Sequence, residues 1–219
     1  MATIDERPHI RGDPEPYEMA AVDKRSVYLL LFDGLADWEP SYALTGLRHG
    51  AKVPVRTVGF QKREVTTMAG LRISSDMMLA DMDSSDVALF MLPGGDMWES
   101  KYPRDNVENV LWNLEASDVP IAGICAATIP MARAGLFAGR RHTSNGRAYL
   151  LQHTKGYLGA ENYVETSAIR EERVISATGL GALEFAREVF AELQAFTDAE
   201  IAEWYERYRT GRMPPASAS

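Results

Sequence analysis

A mostly parallel, doubly wound α/β sheet is what this sequence predicts, and three observations carry the prediction. Residues 27–32, 87–92 and 121–124 are apolar throughout, as strands buried on both faces must be. Each run gives way to a turn or corner and then to a stretch compatible with helix. The alternation recurs at the spacing of strand–helix–strand units, whose crossovers are right-handed.

Residues 1–24 mix Pro8, Pro14 and Pro16 with charges of both signs, show no periodicity, and read as an extended arm. An α/β domain over 25–197 follows, then a C-terminal helix and frayed tail over 198–219. Within the domain, Asp33-Gly34 breaks the first strand, and a helix over about 37–49 is closed by Gly50. Residues 53–58 are the next strand. Residues 64–79 alternate and contain Gly70, which predicts a small antiparallel excursion. The strand at 87–92 ends in Pro93-Gly94-Gly95, and a helix over about 105–116 leads to the third apolar run. A short helix, 128–134, stops at Gly135. Strands at 164–169 and 174–177 and a helix from 182 to about 196 complete the domain. The final helix, 198–208, lines up Ile201, Trp204, Tyr205 and Tyr208 as a stripe that packs on the body, with a dimer contact as the alternative.

Bulk composition narrows the partners. The net charge, 23 − 31 = −8, argues against a nucleic-acid surface. A single cysteine makes no internal disulfide, so a reducing cytoplasm fits. No apolar signal region opens the chain, and no run approaches the roughly 20 residues that span a bilayer. The acidic run at 81–86 lacks the glycine and closing glutamate of a calcium loop, with Asp83 better placed as a cap. Gly179-Leu180-Gly181 lacks the third glycine of a dinucleotide fingerprint. No metal and no cofactor are therefore expected; the partner is a small-molecule substrate.

That single cysteine, Cys125, stands where the third apolar run meets a helix-compatible stretch. Strand, abrupt turn and helix, with small residues after the turn, is the pattern of a nucleophile elbow. A thiol at a helix N-terminus faces unpaired N–H groups and the positive end of the dipole, which favours the thiolate. A small buried hydrophobe at a strand end is the competing reading. Ligands of a doubly wound sheet bind at the strands' carboxyl ends, where the first strand also leads to Glu39 and the strand at 87–92 to Gly94 and Gly95. Glu39, desolvated and protonated, would hydrogen-bond the thiolate or shuttle a proton; a surface carboxylate near a helix N-terminus is its plainer reading. The N–H groups of Gly95 and Ala126 would form an oxyanion hole, with Gly94 allowing close backbone approach. Trp38 is either pocket wall or core.

Four segments taken together resemble the PfpI/DJ-one superfamily: Phe-Asp-Gly leading to Glu39, Leu-Pro-Gly-Gly at 92–95, Gly-Ile-Cys-Ala-Ala at 123–127, and Ala-Thr-Gly-Leu-Gly-Ala-Leu-Glu-Phe-Ala at 177–186. The resemblance implies the class I glutamine-amidotransferase-like fold, a flavodoxin-like three-layer sandwich, and a homodimer. It also implies a reactive Cys125 contacted by Glu39 from the first helix. Departures narrow the activity. The protease branch has a histidine directly after the cysteine, where this chain has Ala126, and no histidine occurs in 177–196 to complete a glutaminase triad. A further branch takes its histidine from the segment after the elbow helix. Here that segment holds His142, the best local base or proton relay, but alignment sets Asn145 in the family position. Thr143, Ser144 and Asn145 would supply substrate hydrogen bonds or form a turn.

The sequence thus points to a cysteine-dependent enzyme acting on a small carbonyl, amide or nitrile-like substrate, a hydrolase, hydratase or glyoxalase-like protein. Two other readings use the same residues. One is a redox-sensing or stress-response protein in which Cys125 is oxidised without turnover; the other is a binding module on an enzyme scaffold.

Overall fold

Ser26–Leu31 is buried at every position and forms β1, the centre from which the sheet grows to both sides. The computed structural model describes residues 25–212; the expected arm over 1–24 and the end of the tail lie outside the described residues. Helix α1 (Trp38–Thr45) follows β1 and ends in a π-helical turn at Gly46–Gly50. Strand β2 (Val55–Gly59) comes next, then a two-stranded ribbon of β3 (Glu64–Thr66) and β4 (Arg72–Ser74), then β5 (Met77–Met78). Strand β6 (Val87–Leu92), α2 (Arg104–Ala116), β7 (Ile121–Ile124) and α3 (Thr128–Arg133) form the middle of the chain. They are followed by α4 (Arg147–His153), β8 (Ala168–Glu171), β9 (Val174–Ala177), α5 (Ala182–Glu192) and α6 (Asp198–Thr210).

The main sheet has seven strands in the order β5-β2-β1-β6-β7-β9-β8. Every neighbouring pair is parallel except β8–β9 at one edge. One helical layer packs α1 against α5 and α5 against α6; the other packs α2 against α3 and α3 against α4. The expected α/β sandwich, helices flanking a mostly parallel sheet, is what forms. Its core is the row of wholly buried β1, β6 and β7 side chains with Leu111, Phe185, Val189 and Phe190 from the helices. The chain reverses its winding between β1 and β6, the switch point at which such sheets leave a crevice.

The ribbon predicted at 64–79 is present and has a task. Asp33 accepts from Thr66 N–H and pairs with Arg63, Asp37 accepts from Ala69 N–H, and Met68 N–H donates to Leu35. These bonds lash the ribbon over the start of α1 and so set the position of Glu39. Helix α6 packs on the body as expected, through Ile201 and a Trp204 ring set edge-on to Phe190 at 4.9 Å. A capping box between Thr197 and Glu200 opens it. Tyr208, at the end of the stripe, is half exposed.

Three segments differ from expectation. Residues 164–167 are not strand, because their backbone bonds go sideways: Val164 N–H to His142, Thr166 C=O to the Thr143 hydroxyl, and Ser167 C=O to Thr178 N–H. Strand β8 begins only at Ala168 and turns into β9 through Glu172 and Arg173, both at positive φ. Helix α5 stops at Glu192 rather than near 196, where Gln194 enters the left-handed region. Helix α4 has no counterpart in the sequence-level reading. No helix among the described residues is long and apolar enough to cross a membrane.

Candidate active site

Strand β7 ends at Ile124, and Cys125 turns the chain at φ +61 into a 3-10 turn, Cys125–Ala127, that runs on into α3. A non-glycine residue in the left-handed region costs about 1–2 kcal/mol, a strain typical of functional corners. The corner is held by the Thr128 hydroxyl, which donates to the Cys125 carbonyl at 2.6 Å and pairs with the Ser144 hydroxyl at 2.7 Å.

The thiol is half-buried among three backbone corners and two side chains. Asn145 Nδ2 donates to Sγ at 3.1 Å, and the Ala126 N–H lies beside it, near enough to favour the thiolate. Glu39 is buried to the last per cent of its surface. Its Oε2 accepts from the Gly94 N–H at 2.5 Å, while Oε1 has no nitrogen or oxygen donor and turns to the thiol. Two glycines make this closeness possible. A Cβ at Gly94 would stand 2.6 Å from Glu39 Oε2 and 2.7 Å from Cys125 Cβ; one at Gly179 would stand 2.8 Å from Sγ and 3.3 Å from Oε1. Thiol and carboxyl share one small space.

That space sets their acidity. Burial, then the charge of Glu39, pushes the thiol up to about 11 against the pull of the Asn145 and Ala126 N–H groups. Burial pushes the Glu39 carboxyl up to about 7, opposed by the Gly94 N–H and the thiol. The thiolate expected from the helix dipole therefore does not prevail: three residues of 3-10 turn weigh less than desolvation beside a carboxylate. The pair titrates as a unit, giving up its first proton near neutrality.

The remaining candidates separate cleanly. Trp38 is wall rather than core, half exposed, with Nε1 donating to the Gly179 carbonyl at 3.3 Å. Asn145 lies against the thiol, and its Oδ1 accepts the Gly179 N–H at 2.9 Å. The Gly94 N–H is committed to Glu39, whereas that of Gly95 meets no acceptor among the described residues. His142 requires correction. Its ring is buried and stacked on Phe137 at 4.2 Å, with Nδ1 bonded to the Arg140 carbonyl and Nε2 to the Tyr157 hydroxyl. Burial lowers its pKa, and both nitrogens are used away from Cys125, so it is no base or relay there. Thr143 and Ser144 are likewise buried in structural bonds. Asp83 caps the turn at Ser84–Asp86, as its acidic run suggested.

Sequence reasoning missed Tyr149 and Glu99. The Tyr149 hydroxyl donates to Glu99 Oε1 at 2.7 Å and stands close enough to feel both Asn145 and the thiol. Nothing local marked either residue: Tyr149 sits on the unforeseen α4 and Glu99 in the short turn Asp96–Glu99.

A left-handed cysteine at the strand–helix corner of a switch-point crevice marks an α/β protein with a cysteine at the nucleophile-elbow position. The chain belongs to the DJ-1/PfpI family, whose model matches residues 25–192. A Bacillus subtilis protein named as an uncharacterized protease is 33% identical over 193 residues, covering 85% of this chain and 91% of that one. A crystal structure of a thiJ/pfpI family protein from Bacillus anthracis superposes with a TM-score of 0.80 at 30% identity, covering 86% of this chain and 92% of that one. A Thermococcus kodakarensis protein named as a deglycase is 25% identical over 118 residues, covering 54% of this chain and 70% of the relative.

Gly94→Ala tests the crowding directly. The added methyl meets a buried carboxylate and a backbone-anchored Cβ, neither of which can retreat. The expected cost is about 1–3 kcal/mol in urea unfolding. An unchanged midpoint would mean that the pair has room to spare.

Proposed function

We propose that this protein is a cysteine-dependent enzyme acting on a small carbonyl, amide or nitrile-like substrate. The observation that carries the reading is Glu39: a fully buried carboxyl, poised near pH 7, in the same space as the thiol. A general base works best when its pKa lies near the working pH. As Sγ attacks the electrophilic carbon, the thiol proton passes to Glu39. The developing oxyanion sits between the N–H groups of Gly95 and Ala126. Protonated Glu39 then gives the proton to the leaving group, and a water that loses its own proton to Glu39 displaces the product from Sγ, which regains its proton from that carboxyl.

Size supports a small substrate. The Gly179 backbone closes over the thiol and Trp38 is bonded to its carbonyl, so a peptide main chain would have to displace the 178–181 loop. Ala126, in place of the protease branch's histidine, points the same way. The names of the relatives, protease and deglycase, accord with nucleophilic chemistry of this kind.

The test is a panel of small aldehydes, amides and nitriles offered to wild-type protein, with substrate loss followed by NMR, alongside a peroxide titration of Cys125. Saturable consumption of one class supports the enzyme. No consumption together with rapid peroxide oxidation at pH 7 would replace it with the sensor.

A further inference from the structure

Asn145, the side chain that donates to the thiol, carries no titratable proton. An amide next to a thiol is useful only if it cannot flip, because its oxygen would repel a thiolate that its nitrogen stabilises. One constraint is already visible. The Gly179 N–H can only donate, so Asn145 must turn Oδ1 towards it and Nδ2 towards Sγ. That nitrogen has a second hydrogen. Tyr149 from α4 lies near enough to interact with that amide, and its own proton is committed to Glu99 Oε1 at 2.7 Å. With its proton held by a carboxylate, the phenol oxygen presents lone pairs to the amide and acts as an acceptor. Glu99 lies in the turn Asp96–Glu99 directly after Gly95, so the third side chain of the row comes from the proposed oxyanion loop itself.

We infer that Glu99 and Tyr149 are positioning residues that lock the Asn145 amide as the hydrogen-bond donor to Cys125. The order is carboxylate, phenol, amide, thiol: Glu99 takes the phenol proton, the phenol oxygen takes one amide hydrogen, and the amide gives its other to sulfur. Glu99, Tyr149 and Asn145 keep their bonding partners throughout, and only the thiol they serve reacts. Neighbouring hydrogen bonds polarise one another, so the distant carboxylate strengthens the bond at sulfur. Glu39 is left as the site's proton carrier and Asn145 as its fixed donor.

The inference concerns the thiol's ionisation, so iodoacetamide alkylation of Cys125, followed by mass spectrometry over pH 6–9, tests it whether or not the proposed enzyme reading holds. Tyr149→Phe removes the acceptor, and the alkylation rate is expected to fall about threefold to tenfold across that range as thiolate is lost. Glu99→Ala, an exposed position with little bearing on folding, frees the hydroxyl to rotate and is expected to act in the same direction more weakly. In an Asn145→Ala background both effects are expected to vanish, since the residues work through that amide. Alkylation profiles of Tyr149→Phe and Glu99→Ala that superimpose on wild type would overturn the inference. So would effects that persist undiminished without Asn145.

Discussion

Cys125→Ser is expected to lower turnover of whichever small electrophile the screen identifies by at least about a thousandfold, while circular dichroism and the melting temperature stay close to wild type. The loss is chemical. A serine hydroxyl ionises far above the cysteine's raised value, so its proton passes to Glu39, which protonates near 7, much less readily. The retained fold is structural. Serine inherits the same left-handed corner, pinned by the Thr128 bond to the residue-125 carbonyl, which no side-chain change at 125 disturbs. The stability change should stay within about 1 kcal/mol, as for near-isosteric exchange at a half-buried position. Turnover surviving at a tenth of wild type would remove Cys125 from the chemistry. The dissection also has an internal check. With sulfur gone, Glu39 keeps its raised pKa, because burial rather than the thiol is its first cause.

Much of this site was legible in the sequence because its members end strands. Three apolar runs mark β1, β6 and β7, and in a doubly wound sheet their carboxyl ends meet, which brings Glu39, Gly94 and Cys125 together before any contact is known. Other features were hidden for identifiable reasons. The Arg147–His153 helix has a weak apolar pattern and no side-chain cap, so Tyr149 had no visible place. His142 drew attention as the histidine nearest to the elbow in sequence, but the neighbourhood of Phe137 and Tyr157 that claims its ring is tertiary. A cysteine at a helix start favours the thiolate by a local rule, but burial and the neighbouring Glu39 outweigh it. Desolvation and a buried carboxylate arrive only with packing.

Glu39→Gln is the change expected to move three quantities in different directions. Turnover falls by about a hundredfold to ten-thousandfold, the range for loss of a general acid–base group. Alkylation of Cys125 speeds up, because the carboxylate that raises the thiol's pKa is gone and the Asn145 and Ala126 donors act unopposed. Stability rises, and only at higher pH. In the folded protein the carboxyl ionises near 7, against a reference of 4.5. Below 4.5 both states hold the proton and Glu39 costs nothing. Between 4.5 and 7 the unfolded chain releases the proton that the folded chain keeps, so wild-type stability declines through that window and levels off above 7. The accumulated cost is about 3 kcal/mol for a group this buried. Glutamine keeps the Gly94 bond but buries amide hydrogens with poor acceptors, which returns about 1 kcal/mol. Urea unfolding should therefore show the variant about 2 kcal/mol more stable than wild type at pH 8 and no more stable at pH 4. A variant equally stabilised at both pH values would show that Glu39 is not held protonated by the fold. A surface carboxylate would give none of these three responses, which is why this one substitution separates a working proton carrier from a capping residue.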